Sequence, residues 1–149
     1  ADIKRYVSHN IDLTNIRTAL RLQSTEESVR DHLILGGSMD PETLCGNTSA
    51  IIAAVERSAL PYGLGDDIRK SAEDPNVLEH AFSDVLAADI ANMWNVPMSI
   101  EPVFAFAALA LSQMKLLRVL LIGKRANLSP QEIKHMLPPY LSASHYVLS

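Results

Sequence analysis

The stretch from Val103 to Ile122 constrains the fold more than any other, because Val103–Leu111 is unbroken apolar sequence and the run continues at helical spacing. A membrane span needs about 20 predominantly apolar residues. Here Ser112, Gln113, Lys115 and Arg118 fall where the middle and second half of a span would lie, and each Lys or Arg near a helix centre costs roughly 2.5–3.5 kcal/mol on insertion scales. The pattern predicts a buried helix of a soluble protein and no direct membrane span. Its polar residues follow Gln113 and Arg118, with Lys115 to one side. The second half is therefore expected to turn a polar edge outward while Met114, Leu117, Leu120 and Leu121 stay packed.

Gly123–Leu128 leads from this helix into a second, short one, Ser129–Leu137, opened by a capping box of Ser129 and Glu132 with Pro130 at its first position. Before it the chain reads as helix throughout. Asp2–Gln23 has Ile3, Val7, Ile11, Leu13, Ile16 and Leu20 at mostly three- and four-residue steps. Asp12 and Asn15 share one face of it, as a polar patch at a helix contact or a solvent edge. Ser24 and Glu27 form another capping box, predicting a helix Thr25–Leu35 that stops at Gly36-Gly37.

Asp40 caps a short helix with Pro41 first, and Asn47 or Thr48 starts another that runs to Leu60. Pro61–Gly65 breaks it, Asp66–Ala72 is short and polar, and Asp74-Pro75 opens a helix to about Trp94. Asn95–Ser99 turns the chain back. Pro138-Pro139 ends regular structure, leaving Tyr140–Ser149 as an expected loose tail. No strand pattern occurs, so the fold class is all-α. The division expected is 1–73 and 74–149, with one compact unit as the alternative.

A chain of 149 residues, 48% hydrophobic and 20% charged, is enough for one packed domain or two closely packed halves. A net charge of −4 argues against a nucleic-acid binder working by phosphate neutralisation. The single Cys45 has no internal disulfide partner and reads as a buried small thiol in a reducing compartment. No signal peptide pattern opens the chain. It begins at Ala1 inside helical sequence, which suggests a fragment or a processed chain.

No catalytic constellation emerges, and no metal or cofactor is expected. His9, His32, His80, His135 and His145 fall on different elements without metal-ligand spacing and read as surface or helix-end residues. Glu79, Asp84 and Asp89 step around one helix by fives and read as a solvated face. Asp66-Asp67 lacks the ligand pattern of a calcium loop. An enzyme would need a pocket gathering distant residues, such as His80 with Asp12 or Glu101.

A repeat does stand out. At an offset of 101, Asp12 falls on Gln113, Arg17 on Arg118 and Leu20 on Leu121; with four extra loop residues, Ser24 and Glu27 fall on Ser129 and Glu132. Each copy reads as a long helix followed by a capped short helix, so the chain is expected to comprise two related helical sub-domains.

The run Ile11-Asp12-Leu13-Thr14-Asn15-Ile16-Arg17, followed by Leu33–Gly37, resembles the middle repeat of the C subunit of archaeal and bacterial V-type (A-type) ATPases, whose eukaryotic relative is the d subunit of V-ATPases. Pro61-Tyr62 resembles that family's Thr-x-Tyr segment without its threonine, and Leu78-Glu79 with Asp84 its acidic helix. Glu101-Pro102, the long helix, Ile122–Lys124 and the capped Ser129–Leu137 resemble its closing repeat. Where the family carries Glu-x-x-Asn on that last helix, this chain has Gln113 and Leu116. Family members are about twice as long, with three repeats, so the chain resembles the C-terminal part.

The resemblance implies a non-catalytic adaptor, on the cytoplasmic face and peripheral to the membrane, seated between the central stalk and the membrane rotor ring. It transmits torque during ATP-coupled proton or sodium transport. Its partners would be the central-stalk subunits and the ring. The candidate partner-binding residues are Asp12, Asn15, Arg17, Gln113, Arg118, Lys124 and Arg125. The alternative is a helical scaffold or regulatory domain with an unrelated partner. A missing first repeat would leave apolar surface open, so an artificial dimer of the fragment is a further expectation.

Overall fold

The computed structural model describes residues 2–23, 28–61 and 63–137. Among them are six α-helices, two 3-10 turns and no strand. The helices are α1 (Asp2–Leu22), α2 (Thr48–Glu56), α3 (Leu64–Lys70), α4 (Pro75–Trp94), α5 (Glu101–Arg125) and α6 (Pro130–Met136); the 3-10 turns are Val29–His32 and Pro41–Leu44. The expected capping box at Ser24 and Glu27, Tyr62 and the tail 138–149 lie outside the described residues.

The starts lie where polar side chains satisfy the first orphan N–H groups. Asn47 accepts from Ala50 N at 2.9 Å and Asp74 from Asn76 N at 3.0 Å, with Pro75 first in α4. Ser129 and Glu132 complete a reciprocal box on α6. Gly63 precedes α3 at φ +100, a conformation that a Cβ would strain. Asp40 caps a single 3-10 turn rather than a longer helix.

α4 is the shared wall. Its Leu78, Phe82 and Val85 join one core with Leu13 and Ile16 of α1, Ile51 and Val55 of α2 and Ile68 of α3. Its far end supplies Ile90 and Met93 to a second cluster with Ala105 and Ala108 of α5. Beside that cluster the rings of Tyr6 and Phe104 meet edge to face, 5.6 Å apart at 78°. α6 folds back so that Gly123 lies under Ile133; a Cβ there would sit 2.9 Å from Ile133 Cγ1.

Several sequence expectations give way. The helix expected over Thr25–Leu35 is, in its described part, one 3-10 turn followed by extended Leu33. Cys45 is exposed, because the 3-10 turn points Leu44 into the core instead. The largest correction concerns α5. Its buried residues are only Glu101, Ala105, Ala108 and Gly123, while Met114, Leu117 and Leu121 are 65%, 58% and 69% exposed. α5 rests on α4, on α6 and, at its start, on α1, and no described element covers its opposite side.

Candidate functional site

Asp12 and Asn15 sit one helical turn apart on α1 and are 0% and 2% exposed. Asn15 Nδ2 donates to the Ile34 carbonyl at 2.8 Å, and Asn15 Oδ1 accepts from Ile34 N at 2.8 Å. Asp12 accepts from Ser38 N at 2.9 Å, from Ser38 Oγ at 2.5 Å and from Met39 N at 3.1 Å. Together they hold the loop 34–39 against the helix. Its two glycines are required by that closeness: Gly36 has φ +104, and a Cβ on Gly37 would lie 2.0 Å from Asp12 Oδ1. The same contacts explain why Ile34 is not helical, since Asn15 takes both of its backbone groups. A direct contact with a partner would need surface that Asp12 and Asn15 do not present. They shape the loop from beneath, and are neither a helix-contact patch nor a solvent edge.

Arg17 faces α4. Its Nε and Nη2 donate to the two carboxylate oxygens of Glu79 at 2.8 and 2.7 Å, and its guanidinium lies 5.2 Å from the centre of the Phe82 ring. Nearer the start of α1, buried Asp89 meets His9 Nδ1 at 2.7 Å and accepts from Arg5 Nε at 2.9 Å. The acidic positions of α4 are thus not one solvated face. Glu79 and Asp89 fasten α4 to α1, and only Asp84 of the three stays fully on the exposed side. His9 likewise is buried rather than at the surface.

The four remaining candidates, Gln113, Arg118, Lys124 and Arg125, are all exposed on α5. Among the described residues, none of Lys115, Arg118, Lys124 and Arg125 forms an ion pair. Around them lie Val103, Phe106, Leu111, Met114, Leu117 and Leu121, each more than half exposed. Helix α5 is long and apolar enough, by length and composition, to cross a membrane, yet only 11% of its most apolar window is buried within the chain. Contiguous uncovered apolar surface is the kind of surface that other proteins or membranes cover.

Behind this face, a cleft of about 310 Å³ opens between α1, α4 and α5, lined among others by Arg17, Glu79, Phe82, Leu86, Lys115 and Met136. Arg17 and Glu79 neutralise each other at its wall, which Lys115 also lines. Among the described residues no group of three or more His, Cys, Asp or Glu is placed to hold a metal ion. At the start of α6, the Ser129 hydroxyl, and then its backbone N–H, hold the Glu132 carboxyl below the ordinary glutamate value.

Two groupings escaped the sequence reading for different reasons. His9, Arg5 and Asp89 stand 80 and 84 residues apart, and no local pattern announces such a pairing. The outward apolar ridge of α5 was visible as periodicity, but periodicity alone does not distinguish a side facing the core from a side facing a partner.

No curated protein and no solved structure matches the chain. The sequence model of the ATP synthase (C/AC39) subunit family matches residues 1–136, which include the Asp12–Asn15 clamp, the Gly36-Gly37 loop, α4 and the α5–α6 pair. The chain belongs to the ATP synthase (C/AC39) subunit family of the rotary V-type ATPases.

Proposed function

We propose that the chain acts as the non-catalytic adaptor of a rotary V-type ATPase or ATP synthase, joining the central stalk to the membrane rotor ring and passing torque during proton or sodium transport. The observation that carries this reading is the uncovered apolar face of α5 in a chain of this family. An adaptor needs stiffness as well as a docking face. Here α1 and α4 are fastened at two levels, by Arg17–Glu79 and by His9–Asp89, and packed helices resist bending.

In this reading the protein works at the cytoplasmic face without spanning the membrane, because the ring supplies the membrane part. The halves 1–73 and 74–149 are read as sub-domains joined in one compact unit by α4, whose Leu78, Phe82 and Val85 enter the core of the first. Gln113, Arg118, Lys124 and Arg125 contact partners directly, whereas Asp12, Asn15 and Arg17 act by shaping the surface that partners meet.

The test is a pull-down of the chain, extended to its natural start, against the central-stalk subunits and the detergent-solubilised rotor ring from the same source. Capture of both is expected. Capture of neither, by protein shown to be folded, would leave a helical scaffold with an unrelated partner.

A further inference from the structure

Helix α5 meets the rest of the chain differently along its two halves. In the first, Glu101, Ala105 and Ala108 are buried, the two alanines against Ile90 and Met93 of α4, and Phe104 meets the ring of Tyr6. In the second, over 111–125, only Gly123 is buried, and it lies under Ile133 of α6. The inward side chains Ser112, Leu116 and Val119 are half-buried and line the cleft of about 310 Å³ that separates this half from α1 and α4. Among the described residues, no hydrogen bond or ion pair joins 111–125 to either of those helices.

What reaches across is the end of α6. His135 Nδ1 lies 3.1 Å from Asn76 Nδ2, and His135 Nε2 lies 3.5 Å from Asp74 Oδ2 at the cap of α4; Met136 beside it lines the cleft. α6 is firmly joined to α5. The Leu128 N–H donates to the Gly123 carbonyl at 3.0 Å, Ser129 and Glu132 close the capping box, and Ile133 covers Gly123. Its hold on α4 is weaker in kind, since the His135 side chain is 64% exposed and exposed polar pairs contribute little. We infer that α6 is a latch. When His135 and Met136 leave α4, the far half of α5 swings outward with α6 as one body and the cleft opens. The pivot is the contact of Ala105 and Ala108 with α4, where α5 has no long side chain to interlock.

The latch is a property of the chain alone and stands whether or not the chain acts as an adaptor. The experiment measures the distance between α4 and the far half of α5 by double electron–electron resonance. The full chain, with Cys45→Ser, carries spin labels at Ala88→Cys on α4 and Leu121→Cys on α5, both exposed positions. One short distance should dominate. The double change His135→Ala with Met136→Ala is expected to raise the population at longer distances about fivefold, as for the loss of other exposed contacts. A second pair of labels, at Leu121→Cys and Gln131→Cys, should keep its distance in the same variant, because α5 and α6 move together.

His135 and Met136 are both exposed, so the double variant should keep its fold; should circular dichroism show otherwise, His135→Ala alone carries the comparison. An α4–α5 distance distribution that is the same with and without the latch residues overturns the inference, since the first half of α5 then holds the whole helix in place. A changed α5–α6 distance overturns it as well, because α6 then comes loose from α5 instead of carrying it.

Discussion

Asn15 makes both hydrogen bonds that the backbone of Ile34 has to offer, donating to its carbonyl and accepting from its N–H, each at 2.8 Å. A side-chain amide on one helix thus takes the place of a neighbouring strand for a single loop residue. Neighbouring Asp12 accepts from the backbone N–H groups of Ser38 and Met39, the half of such a pairing that a carboxylate can make.

Replacing Asn15 with alanine leaves the Ile34 N–H and C=O without these partners. Water reaches them in part, so the expected loss is about 1–2 kcal/mol rather than the full cost of two buried orphans. Urea unfolding should show a lower midpoint at an unchanged slope. An unaltered midpoint would mean that the loop finds other partners and that the clamp is incidental.

Gly37→Ala puts a methyl group into the space held by Asp12 Oδ1, 2.0 Å from the site of its Cβ. The expected cost is about 1–3 kcal/mol, as for other overpacked positions. In an Asp12→Ala background the same change should cost about 1 kcal/mol less, because the clashing oxygen has gone. Strict additivity in the double-mutant cycle would show that Gly37 answers to something other than Asp12.

The outward position of the apolar face of α5 has its own consequence for stability. Leu117→Gln should shift the unfolding free energy of the isolated chain by no more than about 0.5 kcal/mol. Ile16→Ala, at a side chain 0% exposed in the first core, should cost about 2–5 kcal/mol. If the two changes cost the same in thermal and urea unfolding, α5 is covered in solution by something within the chain.

Glu132 provides a pH test. Its folded value lies below the ordinary one because the charged carboxylate accepts from the Ser129 hydroxyl and backbone N–H. Its contribution to α6 is therefore fully present above the unfolded glutamate value and is lost as pH falls through the lower folded value. The Glu132 carboxyl carbon, followed by NMR, should titrate below free glutamate, and Ser129→Ala should move the midpoint upward. Identical midpoints in the two proteins would dismiss the Ser129 hydroxyl as its cause and leave the backbone N–H.

Much of this architecture is local, and that part was legible in the sequence. Caps at Asn47, Asp74 and Ser129 lie where short polar side chains precede apolar periodicity, and each bonds an N–H two or three residues ahead. The all-helical class follows from the same spacing. The Asp12–Asn15 pair and the two glycines were visible as separate motifs, and the family model spans both. Their union as one clamp was not legible, because it depends on a loop returning across 19 to 27 residues to a chosen side of α1.

What the sequence determined by itself was that the longer segments α1, α4 and α5 become helices, where several helices begin, and which chemical types sit on each helical face, since these depend on neighbours within a turn or two. Only the tertiary structure decided which faces became core. α4 is wide enough to bury one stripe of α1 and one of α5, so Ile16 is enclosed while Leu117, equally apolar, faces outward. Asp89 was likewise turned from an apparent surface charge into a buried anchor by the side chains of His9 and Arg5 arriving from another helix. Burial is a property of what packs alongside, and in a chain of helices that is fixed by contacts between elements far apart in sequence.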